Sequence, residues 1–182
     1  QLESRAEVAG MVSAGGDQHQ YLTFRIGLEM FAIGILHIRE IIEYGSLTTV
    51  PMMPPFVRGV INLRGSVVPV IDLSARFGRG ESTVNNRSCI VILEVEASTG
   101  DDDHLQEIGV IVDAVSEVLE IPPGEIEPPP SFGARIRSDF ISGMGKVQGK
   151  FVILLNVERA LDTREMAELA AITDVADNAY DS

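Results

Sequence analysis

The chain has 182 residues, of which 45% are hydrophobic, and a formal net charge of −13 at pH 7. This length suffices for one well-buried domain or for two small units that share a core. The negative charge argues against nucleic-acid and anionic-membrane partners, because binding to phosphates requires a positive surface.

The N-terminal residues predict no targeting function. Residues 1–18 have neither the basic start nor the apolar centre of an export signal, and no run of 18 apolar residues occurs in the chain. We therefore expect a cytoplasmic protein whose residues 1–18 form a disordered lead. The single cysteine, Cys89, excludes an internal disulfide framework, and its neighbours in CIVIL are typical of a core residue.

Strand patterns dominate the chain after the lead. The stretch YLTFRIGL alternates apolar residues with others, which predicts a half-buried strand. Four later runs, SVVPVIDL, SCIVILEV, IGVIVDAV and GKFVILLNV, are short, rich in Val and Ile, and bounded by Gly, Pro or Asp. The sequence therefore predicts a mainly β protein.

Acidic residues concentrate in one internal segment and near the end. Residues 94–107, EVEASTGDDDHLQE, are interpreted as a solvated loop, and their DDD run lacks the ligand spacing of a calcium loop. Helix is expected only near the end, where Asp162 is a candidate N-cap and Glu165 the acid of a capping box. Residues 173–182 are polar and are expected to fray.

The chain contains an internal repeat over about residues 31–77 and 108–161. FVRGVINLRGSVVPVIDLSARF aligns without gaps with FISGMGKVQGKFVILLNVERAL at an offset of 84 residues, and FAIGILHIREIIE aligns with IGVIVDAVSEVLE at an offset of 77. Units of this size are marginal alone, so the repeat predicts two similar small β-barrels that share a core. Chance similarity between Val-rich strands is the alternative explanation.

Two pairs of glycines agree between the halves. Gly59 aligns with Gly143, and Gly65 aligns with Gly149. Positions that agree are expected to serve the fold, and these glycines suit turns that need a small residue or a positive φ.

Arg64, in NLRG, has two open interpretations. Gln148 occupies its place in the other half, and Lys146 occupies that of Asn62, so the turn itself does not require an arginine. Arg64 could be a surface residue that bonds its own loop or pairs with Asp72, as turn arginines commonly do. Alternatively, its guanidinium is an anchor that forms forked hydrogen bonds at a protein interface.

Motifs for catalysis or ligand binding are weak. The sequence has no G-x-S-x-G elbow, no H-E-x-x-H and no paired Cys/His spacing, and His37 is interpreted as a half-buried strand residue. GMGKVQGK, at 143–150, departs from the spacing of a phosphate loop and is interpreted as a hairpin turn. We expect no enzyme activity, no cofactor and no metal.

The segments IREIIEYGSLTTVPMMPPFVRGVINLRGSVVPVIDL, GVIVDAVSEVLEI, IEPPPSF and ISGMGKV closely resemble the CheW family of chemotaxis coupling proteins. The resemblance implies a CheW-like domain over residues 19–172, mainly β, with two intertwined five-stranded SH3-like barrels and short helices, one at the C-terminus. It also implies a non-enzymatic adaptor that bridges the cytoplasmic tip of chemoreceptors to the regulatory domain of the histidine kinase CheA. Other CheW units are implied as further partners, and membrane-associated receptor arrays as the location.

The resemblance further implies a receptor-binding groove between the barrels, suited to a helical hairpin. Its residues in this chain are Ile38, Glu40, Arg58, Gly59, Asn62 and Arg64. Glu40 is the weaker of these by itself, because Glu117 occupies the equivalent place in the other half. Phe132 matches a position that the family uses to contact neighbouring kinase or CheW units.

Two rival classes of function stay open. A small β-barrel enzyme would need a polar cluster in a pocket, and a nucleic-acid-binding pair of barrels would be retained on heparin or DNA, against the acidity of the chain. Within the CheW interpretation, the pathway output, whether flagella, pili or another, is not determined by the sequence.

Overall fold

The computed structural model describes residues 19–45, 47–99, 102–129, 136–162 and 165, with the backbone alone at 97–99 and 102–104. The strands of this part of the chain are β1 Gln20–Ile26, β2 Glu29–Gly34, β3 Ile38–Glu43, β4 Val57–Leu63, β5 Ser66–Asp72, β6 Cys89–Thr99, β7 Asp102–Val112, β8 Ala114–Glu120, β9 Ile126–Glu127, β10 Ile141–Val147 and β11 Lys150–Leu155. The α-helices are α1 Leu73–Arg76 and α2 Val157–Ala160, and 3-10 turns cover Ile35–His37, Pro123–Glu125 and Ser138–Phe140.

The strands form two sheets, and the strands of one sheet come both before and after those of the other along the chain. Sheet I has the order β8-β1-β2-β11-β10-β9, and sheet II has the order β3-β6-β7-β5-β4. Sheet II is built from consecutive residues, 38–112, whereas sheet I joins the N-terminal hairpin β1–β2 to residues 114–155. The two sheets are therefore intertwined, as the resemblance implied.

The internal repeat is visible in the strand register. In sheet II, β5 runs parallel to β7 and pairs Val70 with Gly109. In sheet I, β11 runs parallel to β2 and pairs Leu154 with Ala32, which are the repeat equivalents of that first pair. Because the same pairing recurs in both sheets, the repeat is a property of the fold and not a chance similarity.

Three apolar clusters hold the sheets together. Sheet II curls around one cluster, sheet I around a second, and the largest cluster lies between the two sheets. In β6, Val91 and Leu93 belong to the shared cluster, whereas Ile90 and Ile92 belong to the cluster inside sheet II. Burial on both faces explains the unbroken apolar run CIVIL, and the predicted shared core is confirmed.

The acidic segment 94–107, which its charge predicted to be a solvated loop, belongs to the arms of a β-hairpin. β6 and β7 pair continuously from Glu94 with Glu107 to Thr99 with Asp102. Charge predicts that a segment is exposed to solvent, but it does not prevent the backbone from extending a ladder that begins at a buried base.

Short helices follow β5 and β11, where the strand patterns predicted none. Asp72 and Asn156, which are repeat equivalents, cap α1 and α2 through their side chains. Four residues are too few to show a helical period in a sequence. At the predicted C-terminal helix, the N–H of Glu165 donates to Asp162 Oδ1 at 3.0 Å, as a capping residue requires. The rest of that helix, the lead 1–18 and the tail 173–182 lie outside the described residues.

Candidate functional site

The NLRG segment forms a two-residue turn between β4 and β5. Arg64 and Gly65 both have positive φ, +53° and +86°, as a type I′ turn requires. Gln148 and Gly149 adopt the same conformation in the other half, with φ of +51° and +78°. The side chain of Asn62 accepts a hydrogen bond from the N–H of Gly65 at 3.0 Å. The predicted role of Gly65 is confirmed, and Asn62 supports the turn.

Gly59 lies in a strand, at a β-bulge of β4, and not in a turn as expected. A Cβ on Gly59, whose φ is +155°, would approach the carbonyl oxygen of Thr48 to 2.5 Å. At Gly143 a Cβ would approach Ile126 to 2.6 Å and the carbonyl oxygen of Glu127 to 3.1 Å. Both glycines therefore allow another segment to pass directly against the strand, which is a structural requirement of each half.

Arg64 pairs with Glu40 of β3, and its Nη2 lies 2.5 Å from the carboxylate Oε2. The Arg64 side chain is 63% exposed and that of Glu40 only 14%. The hydrogen bond to Glu40, together with its charge, raises the pKa of Arg64. β3 and β4 are the outer strands of sheet II, so this ion pair connects its two ends. The alternative in which Arg64 pairs with Asp72 is wrong.

Asp72 instead forms an ion pair with Arg58. The Arg58 Nη1 donates to Asp72 Oδ2 at 2.6 Å, and the carboxylate is completely buried. The same carboxylate accepts hydrogen bonds from the N–H groups of Ser74 and Ala75 at the start of α1. It also accepts from the N–H and the hydroxyl of Ser82, at 2.8 and 2.7 Å. No acceptor position on Asp72 is left for the arginine of the turn.

A third group of charges lies beside Glu40. Glu94 and Glu107 are directly opposite each other on β6 and β7, where like charges repel. Arg39 relieves this repulsion, with its Nη1 3.1 Å from Glu94 and its Nε 3.4 Å from Glu107. No sequence pattern points to Arg39, because the opposition of the two glutamates depends on a strand register that composition does not reveal.

The remaining predicted residues differ in accessibility. Ile38 belongs to the shared apolar cluster and is 6% exposed, so a partner could reach little of its side chain. Phe132 lies outside the described residues. The structure therefore places Glu40, Arg58 and Arg64 on sheet II, with Arg58 near the start of β4 and Arg64 in the turn after its end. Ile38 is buried in the shared core.

The two ion pairs Arg64–Glu40 and Arg58–Asp72, which we call the paired-arginine site, belong to sheet II alone. In the aligned half, the residues at the positions of Arg58, Asp72, Arg64 and Glu40 are Ser142, Asn156, Gln148 and Glu117. Three of these four are uncharged, so the equivalent barrel is built without either ion pair. The fold by itself does not require the paired-arginine site.

Exposed apolar side chains occur at equivalent places on both sheets. Leu28 is fully exposed and Phe151 is half exposed, and both line a cavity of about 520 Å³ on sheet I. Their repeat equivalents, Leu105 and Val67, are also exposed. Each barrel therefore presents apolar side chains to solvent, an arrangement more common at contact surfaces than elsewhere.

The part of the chain that the structure describes contains no group of three His, Cys, Asp or Glu side chains placed to hold a metal ion. No helix within those residues is long and apolar enough to cross a membrane. The two intertwined β-sheets, with the paired-arginine site on only one of them, define a class of small two-barrel β proteins that offer surfaces for contact.

Comparison with known proteins identifies the family within this class. Residues 20–165 match the family model described as CheW-like domain, and the chain belongs to that family. The chemotaxis protein CheW of Klebsiella aerogenes is 31% identical over 148 residues, which are 81% of this chain and 84% of that protein. The CheW of Helicobacter pylori is 32% identical over 168 residues, which are 88% and 96% of the two chains.

A solved structure agrees with this assignment. The scaffolding protein TtCheW from Thermoanaerobacter tengcongensis matches with a TM-score of 0.68 and 34% identity, over 80% of this chain and 89% of that one. The family inferred from the sequence motifs is therefore confirmed, together with the mainly β fold.

Proposed function

We propose that this chain is a non-catalytic adaptor that couples chemoreceptors to the histidine kinase CheA in chemotaxis. Its relatives are named chemotaxis proteins, and one solved relative is named a scaffolding protein, which supports a coupling role. The observation that carries the proposal is the paired-arginine site. Both arginines keep part of their side chain exposed, at positions where the equivalent barrel has no arginine, so a specific partner can reach them.

The receptor tip is the partner assigned to this site. The Arg64 guanidinium is exposed, and Glu40 restricts its orientation while its outer N–H groups stay accessible. Arg58 offers a second guanidinium on β4, the strand that leads into the turn of Arg64. A helical hairpin can lie against such a surface and accept forked hydrogen bonds, while Ile38, Gly59 and Asn62 shape the surface beneath it.

The kinase is assigned to a different part of the surface. The resemblance implies that the CheA regulatory domain is itself CheW-like, and barrels that pack within one chain can pack similarly against a homologous barrel. The exposed pair Leu28 with Phe151 on sheet I, away from the paired-arginine site, supports such a contact. Phe132 is assigned to neighbouring kinase or CheW units. The adaptor would act in the cytoplasm at receptor arrays, where several weak contacts add up to firm attachment.

The test is calorimetric binding of the chain to a receptor-tip fragment and, separately, to a CheA regulatory domain. Arg64→Glu places two carboxylates together at the paired-arginine site and is expected to weaken receptor binding at least about tenfold, with kinase binding retained. The matched control is Gln148→Glu, which makes an acidic change at the same turn position of the other barrel. This control is expected to bind the receptor tip as the wild-type chain does; because Gln148 lines the cavity that Leu28 and Phe151 share, the control applies to receptor binding alone.

Binding of neither partner by the wild-type chain would overturn the adaptor function. Equal losses of receptor affinity in Arg64→Glu and Gln148→Glu would show that receptor binding does not depend on the paired-arginine site. Retention on heparin at physiological salt would favour a nucleic-acid partner instead, against the net charge of −13.

A further inference from the structure

We propose that Asp72 is a positioning residue that holds the Arg58 guanidinium ready for the partner. This inference rests on the proposed adaptor function and extends it to a buried carboxylate. Asp72 is fully buried and receives five hydrogen bonds. Asp72 lies too deep to touch a partner, so any effect on binding must pass through the groups that it holds, among which Arg58 is the charged one.

The other half of the chain shows what the fold needs at this position. Asn156, the repeat equivalent of Asp72, caps α2 by accepting a hydrogen bond from the N–H of Arg159 at 3.2 Å. A neutral oxygen acceptor therefore suffices to cap a helix that follows this strand. The negative charge of Asp72 is an addition that sheet II alone contains.

The same comparison applies to Arg58. Its repeat equivalent, Ser142, donates its hydroxyl to the carbonyl oxygen of Leu154 at 3.2 Å, so the fold accepts a small neutral residue there. Both members of the Arg58–Asp72 pair therefore differ between the halves. Where sheet II has a cation and an anion, the aligned positions hold two neutral residues. A charged pair that the fold does not need points to a use for the exposed edge of the cation.

The geometry explains how Asp72 would act. Arg58 Nη1 lies 2.6 Å from Asp72 Oδ2, and the Arg58 side chain remains 20% exposed. A charge-assisted hydrogen bond to a fixed carboxylate removes rotamer freedom from the arginine before the partner arrives. Less entropy is then lost on binding, which is the general benefit of preorganisation.

The carboxylate is itself held rigidly. Oδ1 accepts from Ser74, Ala75 and the Ser82 hydroxyl, while Oδ2 accepts from the Ser82 N–H and Arg58. Ser82 belongs to the segment between α1 and β6, so Asp72 joins that segment to β4. The position of the Arg58 guanidinium is thus fixed, through Asp72, relative to the Ser82 segment as well as to β4.

The experiment is a double-mutant cycle with receptor-tip binding as the readout. Asp72→Asn and Arg58→Gln are each expected to weaken binding about tenfold, while kinase-domain binding stays at the wild-type value. The double variant is expected to bind the receptor tip no more weakly than Arg58→Gln alone. A purely structural role of Asp72 would not produce this non-additivity.

Asn156→Ala is the matched control, because it removes the equivalent helix cap, a hydrogen bond from a backbone N–H, without removing a partner of a guanidinium. It is expected to lower the melting temperature and leave receptor binding unchanged. Circular dichroism verifies that each variant is folded.

These experiments distinguish failure of the adaptor function from failure of the positioning role of Asp72. A wild-type chain that binds neither partner overturns the adaptor function and this inference with it. Wild-type binding with an unchanged Asp72→Asn affinity overturns the positioning role alone, as does an additive double variant. Loss of folding in Asp72→Asn overturns it too, because the charge would then be required by the fold.

Discussion

Arg76 shows how a single charged side chain is accommodated at the centre of this molecule. Its side chain is 4% exposed and its guanidinium carbon lies 5.0 Å from the ring centre of Phe56 and 4.7 Å from that of Phe140. Nε donates to the carbonyl oxygen of Ala160 at 2.8 Å, and Nη2 pairs with Glu165. These partners replace the water that the charge loses, and they attach the start of the C-terminal helix to both halves.

Asp139 provides a prediction about pH at the same scale. The hydrogen bond from Arg137, assisted by Arg159, lowers the pKa of Asp139 to about 2 from an ordinary value of 3.8. Because the folded pKa lies below the unfolded one, the ion pair stabilises the fold above pH 4 and this contribution is lost as pH falls towards 2. Asp139→Asn should therefore show a smaller loss of stability over that interval, measured by urea denaturation from pH 5 to 2.

The effect is expected to be modest, because the Asp139 side chain is 33% exposed and its ion pairs are screened by solvent. Glu81→Gln serves as the control, since Glu81 is exposed and no ion pair within the described residues involves it. An Asp139→Asn curve parallel to that of the wild type would contradict the prediction.

At the scale of elements, each half repeats one hairpin with two special positions. The turn needs two residues of positive φ, and the strand before it needs a glycine against which another segment passes. Arg64 occupies the left-handed region at a cost of about 1 kcal/mol for a residue with a side chain. Retention of arginine there, where Asn or Gly would suit the turn better, is consistent with a use outside the fold.

Gly59→Ala tests the second of these positions. The new Cβ would overlap the Thr48 carbonyl oxygen and would also need an unfavourable φ, so a loss of about 2 kcal/mol or more in the free energy of unfolding is expected. Gly124→Ala is the control, because a Cβ there would meet nothing within 4 Å. Equal urea midpoints for the two variants would show that the bulge tolerates a side chain.

At the scale of the whole molecule, the two barrels cannot be separated by cutting the chain once. Sheet I takes two strands from before sheet II and four from after it, and the largest apolar cluster contains residues of both sheets. Loss of either sheet would expose the face that the other one covers. We therefore expect the barrels to unfold as one cooperative unit, although the sequence repeats.

Unfolding experiments can test this cooperativity. Ile92→Ala changes only the cluster inside sheet II and Leu154→Ala only the cluster inside sheet I, and each should cost about 2–4 kcal/mol. Both variants should still unfold in one transition, with the NMR signals of Tyr21 in sheet I and Tyr44 near sheet II disappearing together. Two separate transitions in either variant would show that the barrels fold independently.

Much of the fold could be predicted, because its signals are local. Strand patterns, the positive-φ glycine Gly65, the N-cap Asp162 and the repeat each depend on residues that are near in sequence or similar in order. The hairpin over 94–107 and the bulge at Gly59 could not be predicted in the same way. Whether a polar segment extends a ladder, or which backbone crosses a glycine, depends on neighbours that are distant in sequence.

The sequence by itself determined the family, the mainly β fold and the internal repeat, since each is encoded in residue order. Only the tertiary structure decided the partners of the charges: Glu40 for Arg64 and Asp72 for Arg58. The physical reason is that a salt bridge forms between the ends of side chains on different strands. Strand order and register bring those ends together, and both are set by the packing of the intertwined sheets.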